Sequence, residues 1–296
     1  MISSTPPTPV PQDRWRRIWL VVLAVSLALL AAVMIGNQVT AESPAAPVAA
    51  SSPAPPSLAP SPSPSPSPSV LPTVPVLESA SASPSATGPF PAAGLLRLPG
   101  KVPTHASGDF SYAGKRSTIH GDKGRLRRFK VAVEKGANED VEAFAAQVVA
   151  ILGDKRSWIG NGDVRLQMVT GADKADFTVY LATRDTAGQL CGRGGTNIRV
   201  GGVPFTSCRT TGRAIINLDR WRLSATPYLD AKVDLATYRR YVINHEVGHE
   251  LGHGHQGCPK AGGPAPVMVQ QTLTLRGCKP YAWPRRDDRS FAGPSL

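Results

Sequence analysis

Four of the chain's six histidines fall in one short stretch, His245-Glu246-Val247-Gly248-His249-Glu250-Leu251-Gly252-His253-Gly254-His255. On a helix, residues four apart lie about 6 Å apart along the axis and point the same way, so His245 and His249 can offer two imidazole nitrogens to one metal ion. Glu246 stands about 100° around the helix from His245, beside such an ion rather than on it, which suits a general base. The stretch fits both HExxH and the longer HExxHxxGxxH. With this chain's residue frequencies the longer pattern arises by chance in on the order of one chain in 10⁵.

A third protein ligand leaves one tetrahedral position open for water. Gly252 can adopt a positive φ, stop the helix and turn the chain so that His255 returns to the metal. His253 is the next residue in the helical series and competes for this role if the helix runs on through Gly252. Cys258 competes as a thiolate. The glycines at 252 and 254 favour His255. The expected cofactor is Zn2+, and the expected chemistry is hydrolysis of a peptide or related amide bond. Zinc brings the pKa of its water toward about 7, and Glu246 takes the proton and later passes it to the leaving amine.

The helix that must hold these groups is legible upstream. Leu235, Tyr238 and Val242 lie on roughly the face of His245 and His249, while Ile243, Val247 and Leu251 form a second apolar stripe nearly opposite. A helix with two apolar faces runs through the interior, where it holds ligands rigidly. Before it, strands are expected at Phe110–Tyr112, Leu126–Val133, Val164–Val169, Phe177–Leu181 and Ala214–Leu218. Asn138 or Asp140 can cap a helix whose apolar residues are Val141, Phe144, Ala145, Val148, Val149 and Leu152. The order predicts an α+β domain with a mixed β-sheet and a central active-site helix. Gly192-Arg193-Gly194-Gly195 lacks the Gly-Lys-Ser/Thr ending of a phosphate loop and reads as a flexible loop spanned by a disulfide.

The rest of the 296 residues says where this domain works. Ile18 to Ile35 is an uncharged apolar run preceded by Arg14, Arg16 and Arg17, with no Lys or Arg following until Arg97. It predicts a cytoplasmic N-terminus over 1–17 and a transmembrane helix over 18–36 with all that follows outside the cell membrane. The alternative is a signal peptide cleaved near Val39-Thr40-Ala41, which leaves a secreted protein. Residues 37–93 are rich in Pro, Ser and Ala and have too little to bury, so they read as a disordered stalk. Residues 94–296 fit one domain of ordinary size and hold nearly all of the formal +12 charge. Export makes two disulfides the natural state of Cys191, Cys208, Cys258 and Cys278. Of three pairings the local one, Cys191 with Cys208 and Cys258 with Cys278, closes two short loops, each worth roughly 3 kcal/mol.

Pro266-Val267-Met268-Val269-Gln270 follows the histidines, and here the chain resembles the metzincin metalloproteases, whose zinc site rests above a methionine in a tight turn. The resemblance implies a zincin-type fold, zinc ligands at His245, His249 and His255, a catalytic base at Glu246 and a Met-turn at Met268. Some metzincins have a Tyr two residues after the Met; Gln270 stands there in this chain, so no tyrosine ligand is implied. The anchor, the stalk, Tyr238-Arg239-Arg240-Tyr241-Val242-Ile243-Asn244 before the motif, and Cys258-Pro259 and Ala265-Pro266-Val267-Met268 after it are similar to the actinobacterial domain-of-unknown-function family 3152. That resemblance runs over roughly 95–285 and brings a predicted peptidase class without a substrate.

Two rivals remain at this level. An anchored cell-envelope binding module would use zinc structurally or inactively, with four protein ligands and no carboxylate beside them. Nucleic-acid binding would rest on net charge alone, and the expectation is against it. Arg156 with Trp158, and Arg220 to Arg222 around Trp221, read as core tryptophans with solvated arginines rather than a basic aromatic stripe. The expected partners are a peptide or protein substrate, with a cell-wall peptide among the options, and the membrane through the anchor. Oligomeric state is left open.

Overall fold

The structure, a computed structural model, describes residues 88–296. The cytoplasmic, transmembrane and nearly all of the stalk expectations lie outside the described residues. Among the described residues no helix is long and apolar enough to cross a membrane.

The fold is α+β with a mixed six-stranded sheet. Its centre is β2 (Arg125–Glu134), where Phe129, Val131 and Val133 alternate into the core. A ten-residue strand is long enough for one edge to take two partners: β3 (Val164–Met168) pairs parallel with its first half and β1 (Phe110–Tyr112) antiparallel with its end. On the other edge β4 (Phe177–Ala182) runs parallel in the register Phe129↔Phe177, Val131↔Val179 and Val133↔Leu181. That register stacks like residues on one face, and the two phenylalanine rings lie 5.7 Å apart. β8 (Arg213–Asn217) follows parallel to β4, and β7 (Cys208–Thr210) closes the sheet antiparallel to β8.

Helix α1 (Val141–Leu152) begins where Asp140 accepts from the Ala143 amide at 2.7 Å, satisfying one of the amides a helix start leaves unpaired. It buries Phe144, Ala145, Val148, Ile151 and Leu152 between the sheet and the long helix. Asp140, not Asn138, is therefore the cap.

Several local expectations shift. Gly192 and Arg193 are the end of a helix, α2 (Arg184–Arg193), rather than part of a loop. That helix buries only Thr186, Ala187 and Cys191, too little apolar material for its period to be read. Strand β8 ends at Asn217, whose side chain accepts from the Asp219 amide and starts α3 (Leu218–Leu223); α4 (Thr226–Asp230) follows. Trp158 and Trp221 are in the core as expected, but Arg220 is not solvated: it is buried, stacks 4.2 Å over Phe205 and donates to the Ser224 carbonyl.

The disulfides are Cys191–Cys208 and Cys258–Cys278, with no free cysteine. Two such bonds point to an oxidising, extracytoplasmic setting. The first ties α2 to β7 and so closes the base of a two-stranded hairpin, β5 (Arg199–Val200) and β6 (Val203–Pro204), turned at Gly201-Gly202 with both glycines at positive φ.

Candidate metal centre

Helix α5 (Leu235–Glu250) carries the first two histidines. Asp234 caps it by accepting from the Thr237 amide at 2.7 Å. One side packs on β7 and β8 and the other on α1 and α3, so the two-faced interior helix is present. Glu250 joins it to the sheet: its buried carboxylate accepts from Arg209 Nε at 3.0 Å and from the Arg213 amide at 2.9 Å.

The helix stops where the glycine pattern placed its end. Gly252 sits at φ +98°, and nothing lies within 4 Å of where its Cβ would be, so conformation rather than space demands glycine. The Gly252 amide donates to the His249 carbonyl and the His253 amide to the Gly248 carbonyl, the paired bonds of a Schellman ending. Past this turn His253 stacks flat on Trp158, with centroids 4.2 Å apart, and His255 swings back to the helix.

His245, His249 and His255 thereby converge, with one nitrogen from each lying within 4.8 Å of the other two. His249 Nε2 and His255 Nε2 are 3.1 Å apart. The tautomers follow from the partners. His245 Nδ1 faces the Val267 carbonyl and His249 Nδ1 the His253 carbonyl, each at 2.8 Å. A carbonyl can only accept, so both Nδ1 atoms carry the proton and both Nε2 lone pairs face the centre, as ligating imidazoles do. Burial, then the neighbouring His249, holds His245 down to about 3; His249 and His255 are lowered too, burial first. Neutral imidazole is the metal-binding form, so the donor set fits a divalent transition metal.

The loop beyond holds the site from below. Pro266 to Val269 form a turn, with the Val269 amide donating to the Pro266 carbonyl at 3.0 Å. Met268 lies in that turn beneath the helix and its carbonyl accepts from the Gln256 amide. Three buried tyrosines clamp the segment that follows: Tyr228 OH donates to Gln271, Tyr238 OH bonds Thr272 and Tyr241 OH donates to the Val269 carbonyl. A buried phenol needs such a partner, and all three find one within four residues of chain. This clamp was missed by sequence reasoning; Tyr238 and Tyr241, three apart on the ligand face, were its only signal.

The sequence profile of the family described as protein of unknown function (DUF3152) matches residues 97–286. The chain belongs to that family. No curated protein and no solved structure matches it. The DUF3152 match spans both disulfides, the three histidines, Glu246 and the Met268 turn.

In this DUF3152 chain the site opens into a cleft of about 530 Å³ lined by the three histidines, Glu246, Tyr241, Gln270, β7 and β5 of the hairpin. His253 lines it as well, but its ring lies on Trp158 rather than with the other three. Cys258 is in a disulfide and offers no thiolate. Glu246 faces the cleft from the buried helix, and no ion pair among the described residues involves it. Burial pushes its carboxyl up to about 8.

Two predictions arise here. In the metal-free protein the folded Glu246 keeps its proton up to about 8, whereas a free glutamate carboxyl releases it near its ordinary value of 4.5. Its contribution is full below the lower value and lost as pH rises through the upper one, at no more than about 1.4 kcal/mol per pH unit. Melts of metal-free protein should therefore show the wild type losing stability relative to Glu246→Gln between about pH 5 and about pH 8. His245 acts oppositely, favouring unfolding as pH falls below 6.5 toward about 3, because only the unfolded chain takes up the proton.

The second concerns Gly248, a position to which the HExxH pattern assigns no residue type. A Cβ there would lie 2.6 Å from both Met268 Sδ and Trp158 Cζ2. Gly248→Ala should destabilise the domain by about 1–3 kcal/mol despite the higher helix propensity of alanine, because it overpacks the contact between helix and turn. Denaturant melts check this; a stabilised variant would show that the turn can move aside.

Proposed function

We propose that this protein is an extracytoplasmic zinc-dependent metallopeptidase, metzincin-like in its site, held at the cell membrane by its N-terminal segment. The observation that carries the reading is the convergence of three imidazole nitrogens, two of them pinned by Nδ1–carbonyl bonds, next to a buried and unpaired Glu246 in an open cleft. His245, His249 and His255 would hold the ion. When bound, zinc supplies an electrophile for the carbonyl and brings the pKa of a coordinated water toward about 7. Glu246 takes the proton of the attacking water and delivers it to the leaving amine. α5 fixes the distance between the base and two ligands, and the Met268 turn orients His245 through the Val267 carbonyl.

The alternative, an anchored binding module with structural zinc, needs a fourth protein ligand. Both candidates for it are engaged elsewhere, His253 on Trp158 and Cys258 with Cys278, which favours the open catalytic arrangement. Metal analysis combined with digestion of a broad peptide library, with and without chelator, tests the reading. The expected outcome is about one zinc per chain and cleavage that the chelator stops. Well-folded protein that takes up no zinc would overturn it.

A further inference from the structure

The two stretches of chain that wall the cleft carry cations and no carboxylates. Between Asp185 and Asp219 the sequence has Arg193, Arg199, Arg209 and Arg213 and no Asp or Glu. Between Glu250 and Asp287 it has Lys260, Arg276, Lys279, Arg285 and Arg286, and again no Asp or Glu. The first stretch lines the cleft with β5 and β7 residues and the second with the His255 loop, Gln270, Thr272 and Leu273; of the cations in both, Arg199 and Arg209 are the two that line it. Glu246 is the sole carboxylate lining the cleft. Glu250, the nearest other acid on the helix, has a 3% exposed side chain buried against Arg209, which itself stays 35% exposed. Arg199 is exposed on the hairpin, its Nη1 folded onto the Gly202 carbonyl, and it enters no ion pair among the described residues. Asp230 is exposed in the adjoining groove rather than in the cleft.

Low-dielectric walls of one sign concentrate ligands of the other and repel their own. Resting on the peptidase reading, we propose that the cleft selects anionic peptides, with Arg199 and Arg209 receiving a carboxylate that lies within a few residues of the scissile bond. The carboxylate is either an Asp or Glu side chain or a free peptide C-terminus. Arginine binds both through the same paired N–H donors.

The test uses the zinc-loaded full-length chain and three matched peptide sets: end-blocked with Glu flanking the cleaved bond, end-blocked with Gln there, and the Gln set with a free C-terminal carboxylate. A Glu or free-carboxylate advantage in kcat/KM of about tenfold over blocked Gln is expected, shrinking as salt rises toward about 0.5 M. Whichever carboxylate set shows the advantage identifies the source. Arg199→Glu should cut the favoured set about fivefold or more and leave blocked Gln within about twofold. Cleavage of all sets at equal rates would overturn the selectivity while sparing the peptidase reading. If none is cleaved, that reading falls. Anisotropy titration of the same peptides onto zinc-loaded Glu246→Gln then decides the selectivity alone: tighter Glu or free-carboxylate binding supports it, and equal or absent binding overturns it.

Discussion

Glu246→Gln should lower peptide hydrolysis by about 10³-fold while the bound metal stays at the wild-type level. Glu246 is the only carboxylate that lines the cleft, and His253, the one further imidazole there, lies on Trp158 away from the other three, so Glu246 is the acceptor placed for the proton of the attacking water. Glutamine keeps the size of the side chain and removes only the ability to accept and return that proton. No ion pair is broken, and burial already disfavours the charged form at this position, so the substitution leaves the fold intact. Steady-state rates on a cleaved peptide, metal content by elemental analysis and a thermal melt make the comparison complete. A variant within about threefold of wild type would remove Glu246 from the mechanism, because general-base catalysis is worth at least about 10²-fold.

The second large effect is on metal binding. His245 is the most deeply enclosed of the three converging histidines, with its Nδ1 fixed by the Val267 carbonyl. His245→Ala should weaken zinc binding by more than the roughly 10- to 100-fold that losing a supporting hydrogen bond costs, since an entire ligand is gone. Zinc at about 1,000 times its dissociation constant stabilises a folded protein by about 4 kcal/mol, so melting of the wild type should rise with added zinc and that of His245→Ala should not. His255→Ala should behave in the same way. His253→Ala is the informative contrast: its ring lies on Trp158, so it loses about 1 kcal/mol of stacking but keeps the zinc response. A His253→Ala protein that no longer binds zinc, beside a His255→Ala protein that does, would reverse the ligand assignment.

How much of this was legible beforehand depends on how local each feature is. His245, Glu246 and His249 share one helix, and helical geometry alone relates their directions. The cap at Asn138 or Asp140, the stop at Gly252 and the alternation of Phe129, Val131 and Val133 are likewise decided within a few residues, the structure choosing Asp140 for the cap. α2, α3 and the β5–β6 hairpin escaped because they are short or bury little, and their stability comes from what they pack on. Arg220 was misjudged for the same reason: its partner Phe205 is on a different element.

The sequence by itself determined the helix-borne pair of histidines, the glutamate beside them, the positive-φ glycine that ends the helix and the even cysteine count of a domain built for an oxidising setting. Only the tertiary structure decided which later histidine completes the triad. That choice depends on Trp158, far away in sequence, taking the His253 ring while the Met268 turn and the tyrosine clamp hold the return path of His255. It likewise decided that residues of both acid-free stretches line a single cleft. Spacing along a chain dictates direction within one helix, whereas the meeting of separate segments is set by the packing of the whole core.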